Sequence, residues 1–109
     1  MQDSSEAIVV LITAANTAEA TRLAEMLVAS HLAACVQILP EMESVYRWQG
    51  KIERAGEILI LVKTLHSKFE QLEREVRSIH SYETPEIIAL PVVAGSPAYL
   101  DWLRQSLEP

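Results

Sequence analysis

The side chains best suited to bind a metal ion in this 109-residue chain are one cysteine and three histidines. Cys35, His31, His66 and His80 are far apart in sequence, and none falls in a His-Glu-x-x-His motif or a close Cys/His cluster. The sequence therefore predicts no zinc site preformed within one chain. His31 and His66 fit surface positions at helix boundaries. Cys35 lies in an apolar segment and fits either a small buried hydrophobe or a metal or redox ligand.

His80 is the histidine whose surroundings most favour a ligand role. It ends a predicted helix, where the helix dipole stabilises a cation, so a capping role is one interpretation. Glu83 follows closely, and the two side chains together offer nitrogen and oxygen donors to copper(II) or zinc. Two donors make only a weak site, so we expect other subunits to supply the remaining ligands.

Three further polar residues have two interpretations each. Lys63 closes an apolar run, where it either reaches water along its aliphatic stem or lines a pocket. Tyr82 and Glu86 lie in or beside the polar segment after His80 and fit ordinary turn positions as well as a binding site.

Two aromatic pairs are candidates for an interface. Tyr46 and Trp48 share one side of an alternating segment, and Tyr99 and Trp102 lie beside a leucine stripe. Both pairs could fill the core instead. We favour the interface because a chain of this size cannot easily bury two rings that project on an extended arm.

The composition excludes several classes of partner. Nine basic against fifteen acidic residues give a formal net charge of −6 with no Lys/Arg cluster, so we expect neither nucleic acid nor a membrane as a partner. Only three glycines are present, which excludes a P-loop and a dinucleotide-binding fingerprint. The single cysteine forms no internal disulfide and the first residues lack the basic start of a secretory signal, so we expect a cytoplasmic protein.

Hydrophobic periodicity predicts four strands and three helices. Asn16 followed by Glu19, Ser67 followed by Glu70, and Ser96 before a proline predict the helix starts. A hairpin arm over residues 44–49 reverses at a glycine. The predicted strands are Ala7 to Ile12, Leu32 to Leu39, Ile58 to Val62 and Ile87 to Val93, and the predicted helices run from Asn16 to His31, Ser67 to Ile79 and Ser96 to Leu107.

This order of elements predicts an α+β fold. It is one ferredoxin-like split βαβ sandwich over residues 1–109, with an extended hairpin between the second and third strands, a C-terminal helix and flexible residues 1–6. Both main helices would cover the same sheet face, yet the strands are apolar on both parities. We therefore predict a homo-oligomer packed through its sheets, with Val9, Val36 and Ile60 as positions where a glutamate would test the interface.

Five sequence fragments follow one another across nearly the whole chain. They read His31-Leu-Ala-Ala-Cys35-Val, Tyr46-Arg-Trp48-Gln-Gly50-Lys51-Ile, Leu61-Val-Lys63-Thr64, His80-Ser-Tyr82-Glu83-Thr-Pro85-Glu86-Ile and Tyr99-Leu-Asp-Trp102. This series resembles the CutA family of divalent-ion tolerance proteins. One departure is Ser81, where the family usually has proline.

The resemblance implies a non-enzymatic homotrimer, built like PII-type signalling proteins, that takes part in tolerance to copper or another divalent metal. It also implies a cleft between subunits that involves Cys35, Trp48, Lys63, His80, Tyr82, Glu83 and Glu86. Within this set we predict His80, Glu83 and Cys35 as the metal ligands. The alternative is a PII-like signalling or scaffold module that binds a small anionic ligand or an unknown partner protein through Lys63 and the aromatic hairpin.

Overall fold

Five strands form one antiparallel sheet in the computed structural model, which describes residues 6–109. The strand order is β2-β4-β1-β5, and β3 pairs with β4. The predicted ferredoxin-like α+β fold is confirmed, since β1 and β2 flank β4 as a split βαβ unit requires. The elements are β1 Ala7–Ala14, α1 Thr17–Ala29, β2 Cys35–Ile38, β3 Met42–Trp48, β4 Lys51–Leu65, α2 Phe69–Ile79, β5 Ile87–Pro91 and α3 Pro97–Ser106.

Glu6 is the first residue that the structure describes. Flexibility was expected over residues 1–6, of which residues 1–5 lie outside the described residues. The backbone carbonyl of Glu6 accepts a hydrogen bond from the His66 amide at 2.8 Å. Glu6 is therefore held against the chain that follows β4.

One sheet face packs against α1 and α2. Alternate residues of the two central strands point to this face and are buried, as the two-residue period of a strand requires. Helical residues spaced three and four apart meet them and complete the core. Its largest members are Ile8, Val10, Ile12, Leu23, Leu27, Leu32, Ile58, Ile60, Val62, Leu72 and Val76.

The opposite face of the sheet is largely uncovered in the single chain, as predicted, and we call it the open sheet face. Ile88 and Leu90 of β5 are 51% and 50% exposed there. Helix α3 covers only one end, through a small cluster formed by Ala7, Leu103 and Leu107. Further apolar residues of the open sheet face are half-buried, namely Val9, Leu11, Leu59, Leu61 and Leu65.

Two of the three positions chosen to test this face lie on the other one. Ile60 is fully buried in the core beneath the helices, and Val36, opposite Val62 in the ladder, packs against the same core. Only Val9 lies on the open sheet face, opposite Lys63 and Leu90. When the odd-numbered and the even-numbered residues of a strand are both apolar, their pattern does not reveal which set faces the helices.

Strand boundaries differ from the prediction at two places. The second strand begins only at Cys35, because His31 adopts a left-handed φ of 59° and the Leu32 and Ala33 amides both bond the Leu27 carbonyl, which closes α1 first. Strand β4 runs unbroken through Gly56, which pairs with Glu43 on β3. At the hairpin tip Gln49 and Gly50 have positive φ, as a tight two-residue turn requires.

Helix starts confirm one of the predicted side-chain caps. The Asn16 side chain accepts a hydrogen bond from the Glu19 amide at 2.9 Å. Ser67 lies within a short 3-10 turn, so α2 starts at Phe69 and the predicted capping box is wrong. Ser96 precedes α3 without a side-chain cap bond. Among residues 6–109, no helix is long and apolar enough to cross a membrane.

Candidate functional site

An acidic cleft of about 460 Å³ lies where the hairpin of β3 and β4 approaches the segment that follows α2. Its walls combine three carboxylates with three aromatic rings, and the part of the chain that the structure describes contributes no lysine, arginine or histidine to the lining. The lining residues are Thr13, Tyr46, Trp48, Glu57, Tyr82, Glu83, Thr84 and Glu86.

The length of β4 and the pairing of the hairpin position one wall of this cleft. Glu57 precedes the apolar run of β4 and pairs with Met42 of β3. Tyr46 and Trp48 lie on one side of β3, because residues two apart on a strand share a face. The predicted alternation of the hairpin aromatics is therefore what brings both rings to the same cleft.

Tyr82 and Glu57 form a direct link across the cleft. The Tyr82 hydroxyl donates to Oε2 of Glu57 at 2.8 Å. Burial raises the pKa of Tyr82 to about 12, with further contributions from this hydrogen bond and from the neighbouring carboxylates. Tyr82 therefore stays a neutral hydrogen-bond donor throughout the physiological pH range.

We expect Tyr82 to ionise at a higher pH than an ordinary tyrosine, and we expect its ionisation to destabilise the fold. A raised folded-state pKa means that its contribution to the free energy of unfolding is complete below pH 10 and is lost as the pH rises through about 12. We expect the ultraviolet titration curve of the wild type, after subtraction of the curve of Tyr82→Phe, to show one tyrosine that ionises near pH 12. An ionisation centred near pH 10 would contradict the observed link to Glu57.

His80 does not have the free nitrogen that a metal ligand needs. Its side chain is fully buried, and Nε2 lies 2.7 Å from the Thr13 carbonyl oxygen, which can only accept. Nδ1 in turn accepts the Tyr82 amide at 3.0 Å. Both ring nitrogens are therefore hydrogen-bonded within the chain in this conformation. His80 as a metal ligand stays a prediction, which requires the ring to leave one of these partners.

Glu19 is the residue that fixes the segment after α2, although its sequence position indicates only a helix start. It is 3% exposed, and its carboxylate accepts the Ala15 amide at 2.9 Å, the Ser81 amide at 2.7 Å and the Ser81 hydroxyl at 3.0 Å. Burial raises the pKa of Glu19, but the hydrogen bonds from Ala15 and Ser81 outweigh it, so the pKa lies below its ordinary value. A proline at position 81 could donate neither hydrogen bond.

Cys35 and Lys63 lie outside the acidic cleft. They face each other across the β2–β4 ladder, whereas Thr13 of the cleft pairs with Leu59, which is roughly 13 Å away along β4 at the usual strand rise. Cys35 is a free, half-buried thiol. The structure therefore does not bring Cys35 and Lys63 together with Glu83 or Trp48 within one subunit. Their place in a cleft between subunits, and Cys35 as a metal ligand there, stay predictions.

Lys63 instead lies beside the aromatic pair Tyr99 and Trp102 on α3. Its Nζ lies 5.5 Å from the centroid of the Tyr99 ring, within cation–π range, and Tyr99 packs on Trp102 at 5.5 Å between centroids. An interface role for Tyr99 and Trp102, both of which are exposed, stays a prediction. Tyr46, predicted for the interface, lines the acidic cleft.

The cleft thus gathers Trp48, Tyr82, Glu83 and Glu86 from the predicted set and adds residues that were missed. Thr13, Glu57 and Thr84 were not singled out, although a glutamate at the head of a buried strand was the signal available for Glu57. Within residues 6–109, no group of three His, Cys, Asp or Glu side chains is arranged to hold a metal ion.

Comparison with known proteins agrees with this architecture. The family model described as CutA1 divalent ion tolerance protein matches residues 8–106. The divalent-cation tolerance protein CutA of Thermus thermophilus is 47% identical over 98 residues, which cover 90% of this chain and 95% of the relative. The chloroplastic protein CutA of Arabidopsis thaliana is 44% identical over 97% of this chain, which spans only 60% of that longer relative.

Solved structures show the same fold. The periplasmic divalent cation tolerance protein CutA from Archaeoglobus fulgidus superposes with a TM-score of 0.91 at 41% identity, covering 94% of this chain and 99% of that one. The Thermus thermophilus protein superposes with a TM-score of 0.90 at 46% identity, covering 92% and 97%.

Proposed function

Because the chain belongs to the CutA1 divalent ion tolerance family, we propose that it is a non-enzymatic homotrimer that binds divalent cations and contributes to metal tolerance. The observation that carries this proposal is the acidic cleft, whose lining includes three carboxylates and, over residues 6–109, no basic side chain. Such a cleft attracts cations and repels anions. The alternative of a small anionic ligand at this cleft finds no support.

The donor chemistry of the cleft decides which cations fit best. Glu57, Glu83 and Glu86 offer only oxygen donors, which suit hard divalent ions such as magnesium, calcium and manganese. Within one subunit these carboxylates are not arranged as a ligand group, so we propose that they attract the ion and that water or the neighbouring subunit completes its ligand shell. Copper(II) prefers additional nitrogen donors, and both nitrogens of His80 are hydrogen-bonded within the chain in this conformation. Copper binding therefore requires the neighbouring subunit of the trimer to contribute ligands.

The open sheet face supports the trimer. It presents Ile88 and Leu90, together with the half-buried apolar residues beside them, as one contiguous surface. Monomeric proteins rarely leave large contiguous apolar patches in water, so we propose that the subunits pack through this face. We also propose a cytoplasmic location, with which a single cysteine that is a free thiol is compatible.

Calorimetric titration with manganese, zinc and copper(II) tests the metal proposal. The double variant Glu83→Gln/Glu86→Gln should bind each ion at least tenfold more weakly than the wild type, because two of the three cleft carboxylates are neutralised. Glu43→Gln is the matched control, since Glu43 is exposed on β3 and pairs with Arg54 away from the lining. Equal binding by all three proteins would refute a cation site in the cleft.

A further inference from the structure

We propose that the acidic cleft also binds an organic ligand, a primary ammonium ion attached to an apolar body. This goes beyond metal binding and does not depend on it. The cleft of about 460 Å³ falls within the roughly 300–1,000 Å³ of small-molecule sites, whereas a divalent ion needs only its ligand shell. The space beyond the carboxylates is therefore sized for a larger cation.

Glu57 supplies the charge that this ligand would meet. Glu57 is only 9% exposed, yet its side chain lines the cleft. Among the described residues, the only hydrogen bond to its carboxylate comes from the Tyr82 hydroxyl, and no Lys, Arg or His forms an ion pair with it. No buried side-chain oxygen in this part of the chain lacks a partner, so the second oxygen of Glu57 is open to the cleft. An ammonium ion would donate to that oxygen and place a positive charge beside the carboxylate.

The aromatic walls explain why the cation would be organic. Hard divalent ions take oxygen ligands and gain nothing from ring faces. Tyr46 and Trp48 nevertheless line the cleft while 44% and 59% exposed, and Tyr82 adds a third ring. Such rings attract ammonium groups within about 6 Å and bury the carbon chain attached to them. Lys63 on Tyr99 shows the same pairing elsewhere in this chain.

Titration with n-hexylammonium, followed by Trp48 fluorescence in a Trp102→Phe background, tests this inference. Hexan-1-ol is the matched neutral ligand, and we expect it to bind at least tenfold more weakly because it lacks the charge. The Trp48→Ala variant lacks the fluorescent side chain, so its binding of hexylammonium is measured by calorimetry. We expect this substitution to weaken hexylammonium binding about five- to tenfold. Glu57→Gln should do the same, and Glu43→Gln should leave binding unchanged.

Several results would overturn the inference. These are an absence of saturable hexylammonium binding, equal binding of hexan-1-ol, or unchanged binding in Trp48→Ala. We expect Trp48→Ala to fold, because the Trp48 side chain is exposed. The same samples are titrated with manganese, so metal binding without hexylammonium binding refutes this inference alone, and the reverse refutes the proposed function alone.

Discussion

Replacing Glu19 by alanine should lower the free energy of unfolding by about 3–5 kcal/mol, because three donors lose one shared, buried acceptor. The carboxylate accepts the amides of Ala15 and Ser81 and the Ser81 hydroxyl. The hydroxyl can rotate toward another acceptor, but the two amides cannot. The loss therefore exceeds that of a single surface hydrogen bond.

Urea denaturation at fixed protein concentration measures this loss. Glu25→Ala is the matched control, since Glu25 is exposed on the same helix, and its free energy of unfolding should change by no more than about 0.5 kcal/mol. A second readout follows from the position of Ser81 beside Tyr82. Release of the segment should expose Tyr82 and move its pKa from about 12 toward 10. An equal effect of both glutamate variants would show that Glu19 anchors nothing.

The same residue makes the fold sensitive to acid. The pKa of Glu19 is lowered in the folded protein, so its contribution to stability is complete above its ordinary pKa of 4.5 and is lost as the pH falls through the folded value. The difference in unfolding free energy between the wild type and Glu19→Gln should therefore shrink steadily below pH 4.5. A difference that grows with acidity would contradict the hydrogen bonding described above.

Leu90→Glu should dissociate the proposed trimer while each subunit still folds. Leu90 is half exposed at the edge of the open sheet face, so a glutamate there costs the isolated subunit little. In a trimer packed through that face, three carboxylates would be buried without a countercharge, at several kcal/mol each. Sedimentation velocity at micromolar concentration should shift from trimer to monomer.

Val28→Glu is the control for this experiment. Val28 is 47% exposed, close to the value for Leu90, but it lies on α1, in the layer that covers the other sheet face. We expect this variant to sediment as the wild type does. A Leu90→Glu protein that remains trimeric with unchanged stability would show that the open sheet face is not the contact between subunits.

The contrast between Tyr46 and His80 shows how much of the site a local sequence pattern can predict. Alternation along β3 predicted that Tyr46 and Trp48 share a side, and both do line the cleft. Sequence also indicated His80 as a ligand, but the nitrogens of that ring are taken by a carbonyl of β1 and by its own loop. Periodicity reports which way a side chain points, whereas its partners depend on residues far away in the chain.

The sequence alone determined the order of strands and helices and the excess apolar surface of the sheet, because both follow from residue types at fixed local spacing. Only the tertiary structure decided that Glu19 would meet Ser81, 62 residues away, and that Cys35 and Lys63 would lie outside the cleft. Those outcomes depend on strand register and loop paths. A shift of one residue in a ladder reverses the face of every side chain, and the apolar pattern of these strands is nearly the same on both faces.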